Sequence, residues 1–390
     1  MDSLISLCIF IIILFLYIHI ANQYKLGEEL EIYETDYDDA KHLESVCELK
    51  QPVLIYVQNV FPSLFSDIIP ETIAKYGSHD VNIKDCDDYF TEKPSSVDSI
   101  ILPLHNSIEF IENDQQHHLF SENNHEFLDE TGILLKMKKI EHYIQPPLSV
   151  TSRYDLMFGS KNTCTPLRYH NNNRKFLCVT NGKIKIKMSP WKSCKFLHQY
   201  KDYENYEFRS LINPKKPQSQ YALDFEKTNF IEFLIHPGYM LYIPPFWWYS
   251  IQYLDDPSTF ICSFTYSSLI NHVSNIKDLS LYFLQQQNIT KKIEKQKEFI
   301  LPKTHADDTL SNEEESHEQI NQSELPIIEE KEKTNETDIK KDEQDVNEIQ
   351  ELEPEPITKE KIEEPPKTKK IKTKKQINKE ENINYSISDI

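Results

Sequence analysis

Residues 236–252 read HPGYMLYIPPFWWYSIQ, two short runs of aromatic and β-branched residues marked off by a Pro-Gly pair and a Pro-Pro pair. Short apolar runs bounded by such turn residues are typical of strands. The pattern extends over residues 149–266, through runs such as LMFGS, KFLCVTNGKIKIKMSP and TFICSFTY. It predicts an antiparallel β-sandwich or barrel rather than a doubly wound parallel sheet.

One turn inside this region is marked by its own sequence. Asn181-Gly182 lies between two β-rich runs, and Asn-Gly in that setting is a strong signal for a β-hairpin. We therefore expect the strands on either side of Gly182 to pair with each other. Beyond the turn, residues 184–188 alternate apolar residues with lysine, which predicts one buried and one solvent-facing side.

The chain as a whole divides into five parts. Residues 1–24 form an apolar N-terminal segment, residues 25–148 mix strand-like and helix-like patterns, and residues 149–266 carry the β pattern described above. Residues 267–302 have a helical period, and residues 303–390 are highly charged with a single aromatic residue. These patterns predict a mostly β fold with flanking α-helices, followed by a disordered charged tail that cannot bury enough apolar surface to fold.

Within the second part, turn residues set the expected boundaries. PVLIYVQNVFPSLF predicts a buried strand and a turn at Pro62, and FSDIIPETIAKYG predicts a short helix that ends at Gly77. SIILPLHNSIEFIEN predicts a strand and the start of a helix, and NNHEFLDETGILLKMKKIEHY predicts helix with a break near Gly132.

The N-terminal segment is apolar enough to cross a membrane. The run begins at Leu4, ends at Ala21 and carries no charge, which is about the length that spans the hydrocarbon core of a bilayer. Asp2 stands where a cleaved signal peptide would have basic residues, so we expect an uncleaved anchor; the alternative is a buried core helix. Lys25 and Lys41 follow the run and no basic residue precedes it, so the positive-inside rule places the main domain in the cytosol.

The charge distribution argues against a specific nucleic-acid interface. The chain of 390 residues has a net charge of -20. Residues 303–390 hold 25 Asp and Glu against 14 Lys and Arg, which accounts for about half of it. The folded part lacks a basic face in its sequence. A lysine-rich stretch at residues 367–375, KTKKIKTKK, resembles a nuclear-localisation or anion-binding patch; the alternative is a solvated charged block.

The cysteines do not indicate a metal site or a disulfide framework. None belongs to a CxxC pair, and their number, seven, is odd. Buried thiols in a reducing compartment are the expectation. The cysteines are Cys8, Cys47, Cys86, Cys164, Cys178, Cys194 and Cys262.

Four stretches carry a resemblance to a known family: YDLMFGSKNTCTPLRYH (residues 154–170), VTNGKIKIKMSP (179–190), KDYENYEFRSLINP (201–214) and IPPFWWYSIQ (243–252). The chain resembles the cupin-like hydroxylases related to the JmjC domain, and it is most similar to the cupin-like proteins of large nucleocytoplasmic DNA viruses. The resemblance implies a double-stranded β-helix, the cupin or jelly-roll core. It also implies C-terminal helices able to pair two chains as a homodimer.

In the active hydroxylases of this family, a His-x-Asp motif and a distal His bind iron(II) and leave positions for 2-oxoglutarate and oxygen. The matching positions of this chain read Arg168, His170 and Tyr249. Arginine keeps its proton and cannot become a ligand, and tyrosine ligates iron only as the phenolate. The resemblance therefore implies a degenerate iron site.

The cosubstrate positions match only in part. Tyr154 and Thr165 match residues that bind 2-oxoglutarate in the hydroxylases, but the anchoring lysine falls at Ile184. Lys183 and Lys185 flank that position, and adjacent residues of a strand face opposite ways. The ligand-pocket residues expected from the resemblance are Tyr154, Thr165, Arg168, His170, Lys183, Lys185, Trp248 and Tyr249.

Two functional hypotheses follow. The first is a membrane-anchored, non-catalytic domain without a metal cofactor, which serves as a binding or structural protein. Its pocket would bind a small anion at Arg168 or an unknown protein partner; Arg168 could instead pair with a nearby carboxylate. The second is an iron(II)- and 2-oxoglutarate-dependent oxygenase, a protein hydroxylase with a rebuilt site that uses His170 with Tyr249 or His236. Only His170 is an ordinary ligand type at a matched triad position.

Overall fold

The computed structural model describes residues 2–91, 93–254 and 259–300, with side chains described over 4–91, 93–254 and 259–289. The strands form two sheets and helices flank them, which confirms a mostly β fold with flanking helices. The predicted tail over residues 303–390, with its lysine-rich stretch, lies outside the described residues.

The strands of the described residues are β1 (Tyr33–Asp36), β2 (Val53–Tyr56), β3 (Asp80–Asp85), β4 (Ile100–Pro103), β5 (Leu119–Ser121), β6 (Ser149–Gly159), β7 (Arg168–Tyr169), β8 (Arg174–Asn181), β9 (Ile184–Ser189), β10 (Gln199–Asp202), β11 (Glu207–Ser210), β12 (Ile231–Ile235), β13 (Tyr239–Ile243), β14 (Trp248–Tyr253) and β15 (Phe260–Ser268). The helices are α1 (Asp2–Gln23), α2 (Ala40–Cys47), α3 (Pro62–Asp67), α4 (Pro70–Ile73), α5 (Leu104–Glu112), α6 (His125–Glu130), α7 (Ile133–Lys138), α8 (Glu141–Ile144), α9 (Ala222–Phe225), α10 (Leu269–Ser274) and α11 (Ile276–Ile300).

Among the described residues, one sheet has nine strands in the order β1-β2-β13-β8-β15-β6-β5-β3-β4, and the other has six in the order β10-β11-β7-β14-β9-β12. The pairing of β1 with β2 is parallel. The large strands that carry the core pair antiparallel, as the short runs with turn residues predict.

The predicted hairpin at Gly182 is wrong. β8 pairs with β13 and β15 in the nine-stranded sheet, whereas β9 pairs with β12 and β14 in the six-stranded sheet. Gly182 has a φ of +75°, and a Cβ there would lie 2.3 Å from Oγ1 of Thr259. The tight turn therefore moves the chain from one sheet to the other, because both strands find their partners in later parts of the chain.

The helical signals before the β region are mostly confirmed. A Pro residue begins α3 and another begins α4, so the helix predicted up to Gly77 is divided by Pro70, since proline lacks an N–H and clashes with the preceding turn. Pro62 begins a helix rather than a turn. The break near Gly132 separates α6 from α7, and Gly132 has a φ of +71°.

Three buried clusters hold the layers together. The inner cluster joins both sheets, with Leu177 and Ile261 from one and Ile186 and Ile251 from the other. The outer cluster packs the opposite face of the nine-stranded sheet against α3 and α5–α7. A third, aromatic cluster covers the outer face of the six-stranded sheet and includes Trp248. The two sheets therefore face each other across one core.

The N-terminal helix is the one helix of the described residues that is long and apolar enough to span a membrane. Its apolar part, Leu4–Gln23, has a mean hydropathy of 2.8 and is not buried against the rest of the protein. Tyr24, the residue after the helix, contacts the domain. Its ring stacks on Phe246 at 6.1 Å, and its hydroxyl donates to the carbonyl of Ser274. The segment is thus not a buried core helix, the alternative that its sequence left open.

Candidate functional site

A cavity of about 570 Å³ opens between the two sheets. One wall comes from β6, β8 and β15 of the nine-stranded sheet, and the other from β7, β11 and β14 of the six-stranded sheet. Arg168, His170 and Tyr249, the three positions matched to the iron ligands, all border it. The volume lies in the range of pockets that bind small molecules.

Arg168 is held by carboxylates from two other parts of the chain. Its Nη1 donates to Glu122 Oε1 at 2.8 Å, and its Nη2 donates to Glu122 Oε2 at 2.5 Å. Nη1 also lies 3.2 Å from Glu207 Oε1. Arg168 is only 8% exposed and Glu122 only 3%. This is the bidentate geometry in which a guanidinium and a carboxylate bind most strongly.

The pair belongs to a longer chain of buried charges, which we call the ion-pair chain: Lys84, Glu122, Arg168, Glu207, Arg209 and Asp202. Its first link joins Lys84 Nζ to Glu122 Oε1 at 3.1 Å. At its far end, Arg209 Nη1 lies 3.8 Å from Glu207 Oε2 and 3.6 Å from Asp202 Oδ2. Three cations face three carboxylates, so the chain is neutral as a unit.

Burial and charge act in opposite directions on Glu122. Burial acts to raise the pKa of its carboxyl, but the charges and hydrogen bonds of Arg168 and Lys84 outweigh burial and hold the pKa well below its usual range. Glu122 is therefore ionised at neutral pH. Because Glu122 and Glu207 both pair with it, Arg168 does not present a free positive charge to the cavity.

The ring of His170 forms a hydrogen bond with the backbone. Its Nε2 lies 3.0 Å from the carbonyl oxygen of Ile243. Since a carbonyl only accepts, the neutral ring carries its proton on Nε2 and keeps a lone pair on Nδ1 alone. Burial, with a smaller contribution from the charge of Lys175, lowers the pKa of His170 to about 3. The ring is neutral at pH 7.

Tyr249 is 2% exposed and lies between two cations. The guanidinium carbon of Arg168 is 5.8 Å from its ring centroid, and Lys175 Nζ is 5.9 Å from it. Tyr249 also pairs with Arg168 across the six-stranded sheet. The ring face is therefore used in cation–π contacts with the side chains around it.

Tyr154 and Thr165, which match cosubstrate positions, differ in their relation to the cavity. Tyr154 borders it through its strand, but its ring packs at 6.0 Å against Phe264 in the outer cluster. Thr165 is fully buried, and its hydroxyl accepts the N–H of Ile251 at 2.9 Å. The structure does not bring these hydroxyls together with Arg168 as an anion site.

The remaining predicted residues lie elsewhere. Trp248 belongs to the aromatic cluster, with its ring 4.9 Å from Tyr169, because it points away from its neighbour on the strand. Lys183 is exposed in the turn, and Lys185 forms an ion pair with Glu232 on the outer face of the six-stranded sheet.

His236 is exposed before β13 and does not border the cavity.

Sequence analysis did not single out several charged residues of the cavity. Lys84 and Glu122 come from the part of the chain before the β region, and Glu207 lies in the KDYENYEF stretch. Lys175 and Arg153 come from the β region itself. One signal was available for Lys84, since it follows the alternating apolar residues Val81 and Ile83 in the sequence; its partner could not be read from the sequence.

The family model of the cupin-like domain matches residues 55–272. The chain belongs to the cupin-like domain family. The match begins in β2 and ends in α10, so it contains every strand from β3 to β15 and the cavity, whereas β1 lies before it. The N-terminal helix lies outside it.

A curated relative of this cupin-like chain is similar over a shorter stretch. JmjC domain-containing protein D of Dictyostelium discoideum is 29% identical over 96 residues, which is 25% of this chain and 21% of that protein. The match thus spans about a fifth of the relative's length. It supports a JmjC-type domain.

The residues at the triad positions do not fit an iron ion. A facial triad needs three N or O ligands on one metal, at about 2.0–2.2 Å. Arg168 has no lone pair to give, and the only nitrogen lone pair of His170 is on Nδ1. Among the residues whose side chains are described, no three His, Cys, Asp or Glu are grouped to hold a metal ion.

Proposed function

We propose that this cupin-like protein is a membrane-anchored, non-catalytic binding protein, and that its cavity is the binding site for a small anion or part of a partner protein. The observation that carries this proposal is the bidentate pair of Arg168 with Glu122 at a position where the resembling hydroxylases hold iron. An internal ion pair fills the place of the metal.

The buried pair of Arg168 with Glu122 disfavours iron at this site, and it does so without repelling the metal ion. Glu122 offsets the charge of Arg168, so a metal ion would not face a bare guanidinium. However, if Glu122 left Arg168 and Lys84 to ligate a metal ion, Lys84 would lose its carboxylate partner and Arg168 would keep only Glu207. Breaking such a buried pair costs about 3–5 kcal/mol. One imidazole does not offset that cost.

For location, we propose a single-pass anchor formed by α1 with the cupin-like domain on the cytosolic side. The apolar length of Leu4–Gln23 supports the anchor, and Lys25 after it supports the orientation. The contact of Tyr24 with Phe246 would hold the domain close to the bilayer. The resemblance to viral cupin-like proteins adds association with a virion as part of this proposal.

We also propose that the C-terminal helices bind a protein partner, with a second copy of this chain as the first candidate. Ile276, Phe283 and Leu284 of α11 are apolar and more than half exposed. Apolar side chains clustered on one exposed helix are typical of an interaction surface.

Metal analysis of the full chain, purified in detergent micelles with added iron(II), tests the non-catalytic proposal. We expect no stoichiometric iron and no turnover of 2-oxoglutarate. Stoichiometric iron, or turnover abolished by His170→Ala, would establish the oxygenase alternative instead. The matched control is the triple variant Arg168→His, His170→Asp and Tyr249→His, which restores the ligand types. If only this variant gains metal while it keeps the wild-type circular dichroism spectrum, the wild-type residues are what exclude iron.

A further inference from the structure

We propose that the cavity binds the carboxylate or phosphate group of a small molecule on a row of three side chains, Lys175, Thr265 and Arg153, that lies across the nine-stranded sheet. This inference rests on the proposed binding function and assigns its ligand class. It places the anion on the nine-stranded sheet, whereas Arg168 and Tyr249, which match iron-ligand positions, lie on the six-stranded sheet.

The strand register forms this row. Thr265 of β15 pairs with Lys175 of β8 on one side and with Arg153 of β6 on the other. Residues paired across neighbouring strands point to the same face, and all three border the cavity. Strands lie about 4.8 Å apart, so the row spans roughly 10 Å between its outer Cα atoms. Two long cationic side chains thus flank one hydroxyl.

Both cations of the row lack a carboxylate partner. Among the described side chains, neither Lys175 nor Arg153 lies within 4.0 Å of a carboxylate oxygen. Lys175 is half-buried and reaches the ring of Tyr249 at 5.9 Å, and Arg153 is exposed at the cavity wall. Their donors are available to an incoming anion, in contrast to those of Arg168.

The charge balance of the cavity favours an anion as well. The ion-pair chain is neutral as a unit, which leaves Lys175 and Arg153 against one further carboxylate, Asp155. Asp155 already accepts the backbone N–H groups of Asn123 and Asn124 at 2.8 Å each. The walls therefore carry a surplus of one positive charge, within a protein whose net charge is -20.

The volume of the cavity limits the ligand to a small molecule. The cavity of about 570 Å³ admits a small molecule, and the three donors belong to neighbouring strands of one wall. Arg and Lys both bind carboxylate and phosphate groups, and a hydroxyl donates to either. A carboxylate and a phosphate therefore share this chemistry, and the experiment separates them.

Calorimetric titration of the full chain in detergent micelles tests the row, with benzoate and phenyl phosphate as probes and benzamide as the neutral control. We expect at least one anion to bind and benzamide not to bind; the anion that binds more tightly identifies the group. Arg153→Gln and Lys175→Gln should each weaken binding about tenfold, since each removes one charge-assisted hydrogen bond. Thr265→Val should weaken it less.

Lys183→Gln is the matched control, because it removes the same charge from an exposed position outside the cavity. It should change the affinity less than about twofold. The inference is overturned if neither anion binds the wild type at millimolar concentration, or if Lys183→Gln weakens binding as much as Lys175→Gln does. It is equally overturned if only Arg168→Gln abolishes binding. None of these outcomes changes the result of the metal analysis. Bound iron would contradict the non-catalytic proposal whatever the anion titration shows.

Discussion

Replacement of Glu122 by glutamine tests the ion-pair chain directly. Glutamine has nearly the same shape, so the change removes charge and little volume. It leaves Lys84 and Arg168 buried beside each other, with only Glu207 close to the guanidinium. We expect a marked loss of stability, and not a local loss of ligand binding alone.

The distances from Glu122 to Arg168 and Lys84 set the expected loss of stability. At an effective dielectric constant near 20, opposite unit charges about 3 Å apart attract by roughly 5 kcal/mol. Glu122 makes two such contacts, one with Arg168 and one with Lys84, but desolvation offsets much of the attraction. Removal of one partner of a buried pair costs about 3–5 kcal/mol in general. We expect Glu122→Gln to lower the free energy of unfolding by that amount.

The pH dependence follows from the same pair. Since the pKa of Glu122 is lower in the folded protein than the value of about 4.3 in an unfolded chain, its stabilisation is complete above that value and is lost as the pH falls below it. The difference in stability between wild type and Glu122→Gln should therefore be constant from pH 6 to 8 and shrink below about pH 4.

Urea unfolding of the full chain, followed by tryptophan fluorescence, measures these differences. Glu112→Gln is the control, because Glu112 is exposed on α5 and makes no ion pair within the described part of the chain; it should change stability by less than about 0.5 kcal/mol. Combining Glu122→Gln with Arg168→Met should cost less than the sum of the single changes. If Glu122→Gln costs under 1 kcal/mol, or if the changes simply add, the pair does not stabilise this fold as we argue.

Three further outcomes are expected. Burial raises the pKa of Asp155 to about 6, so its charge is lost as the pH falls through that value; benzoate should bind more tightly at pH 5.5 than at 7, and Asp155→Asn should remove this dependence in calorimetry. Deletion of residues 1–24 should release the protein from carbonate-washed membranes, and a deleted chain that still sediments with them would contradict the anchor. Gly182→Ala should cost about 2–4 kcal/mol in urea unfolding, because it combines left-handed strain with a clash at Thr259; Gly132→Ala, with a similar φ and open space around it, should cost about 1 kcal/mol, and equal costs would refute the clash.

The elements that depend on local sequence could be predicted. Alternation in residues 184–188 gave the buried and half-exposed faces of β9, and the glycine at 132 gave the break between two helices. Partner choice could not be predicted in the same way. The Asn-Gly turn is tight in the structure, but which strands pair depends on β12 to β15, whose positions the turn does not determine.

The candidate site also combines features that depend on local sequence with features that depend on distant parts of the chain. Arg168, His170 and Tyr249 border one cavity. Their chemistry depends on residues distant in sequence, since Glu122 is 46 residues before Arg168. A carboxylate partner for Arg168 was one of two alternatives that the sequence left open. Glu122 directly follows β5 of the nine-stranded sheet, whereas Arg168 lies on β7 of the six-stranded sheet, so the packing of the two sheets brings them together.

The ion-pair chain also limits which single substitutions the protein tolerates without losing stability. Changing Arg168 to histidine alone would leave Glu122 with Lys84 as its only cation, and changing Glu122 alone would leave Lys84 without a carboxylate and Arg168 with Glu207 only. Each first step towards a metal-binding triad therefore passes through a less stable protein. The substitutions are epistatic: their order matters, and compensating pairs are tolerated where single changes are not. A mutational library of this chain should therefore contain folded double variants at these positions more often than the single variants predict.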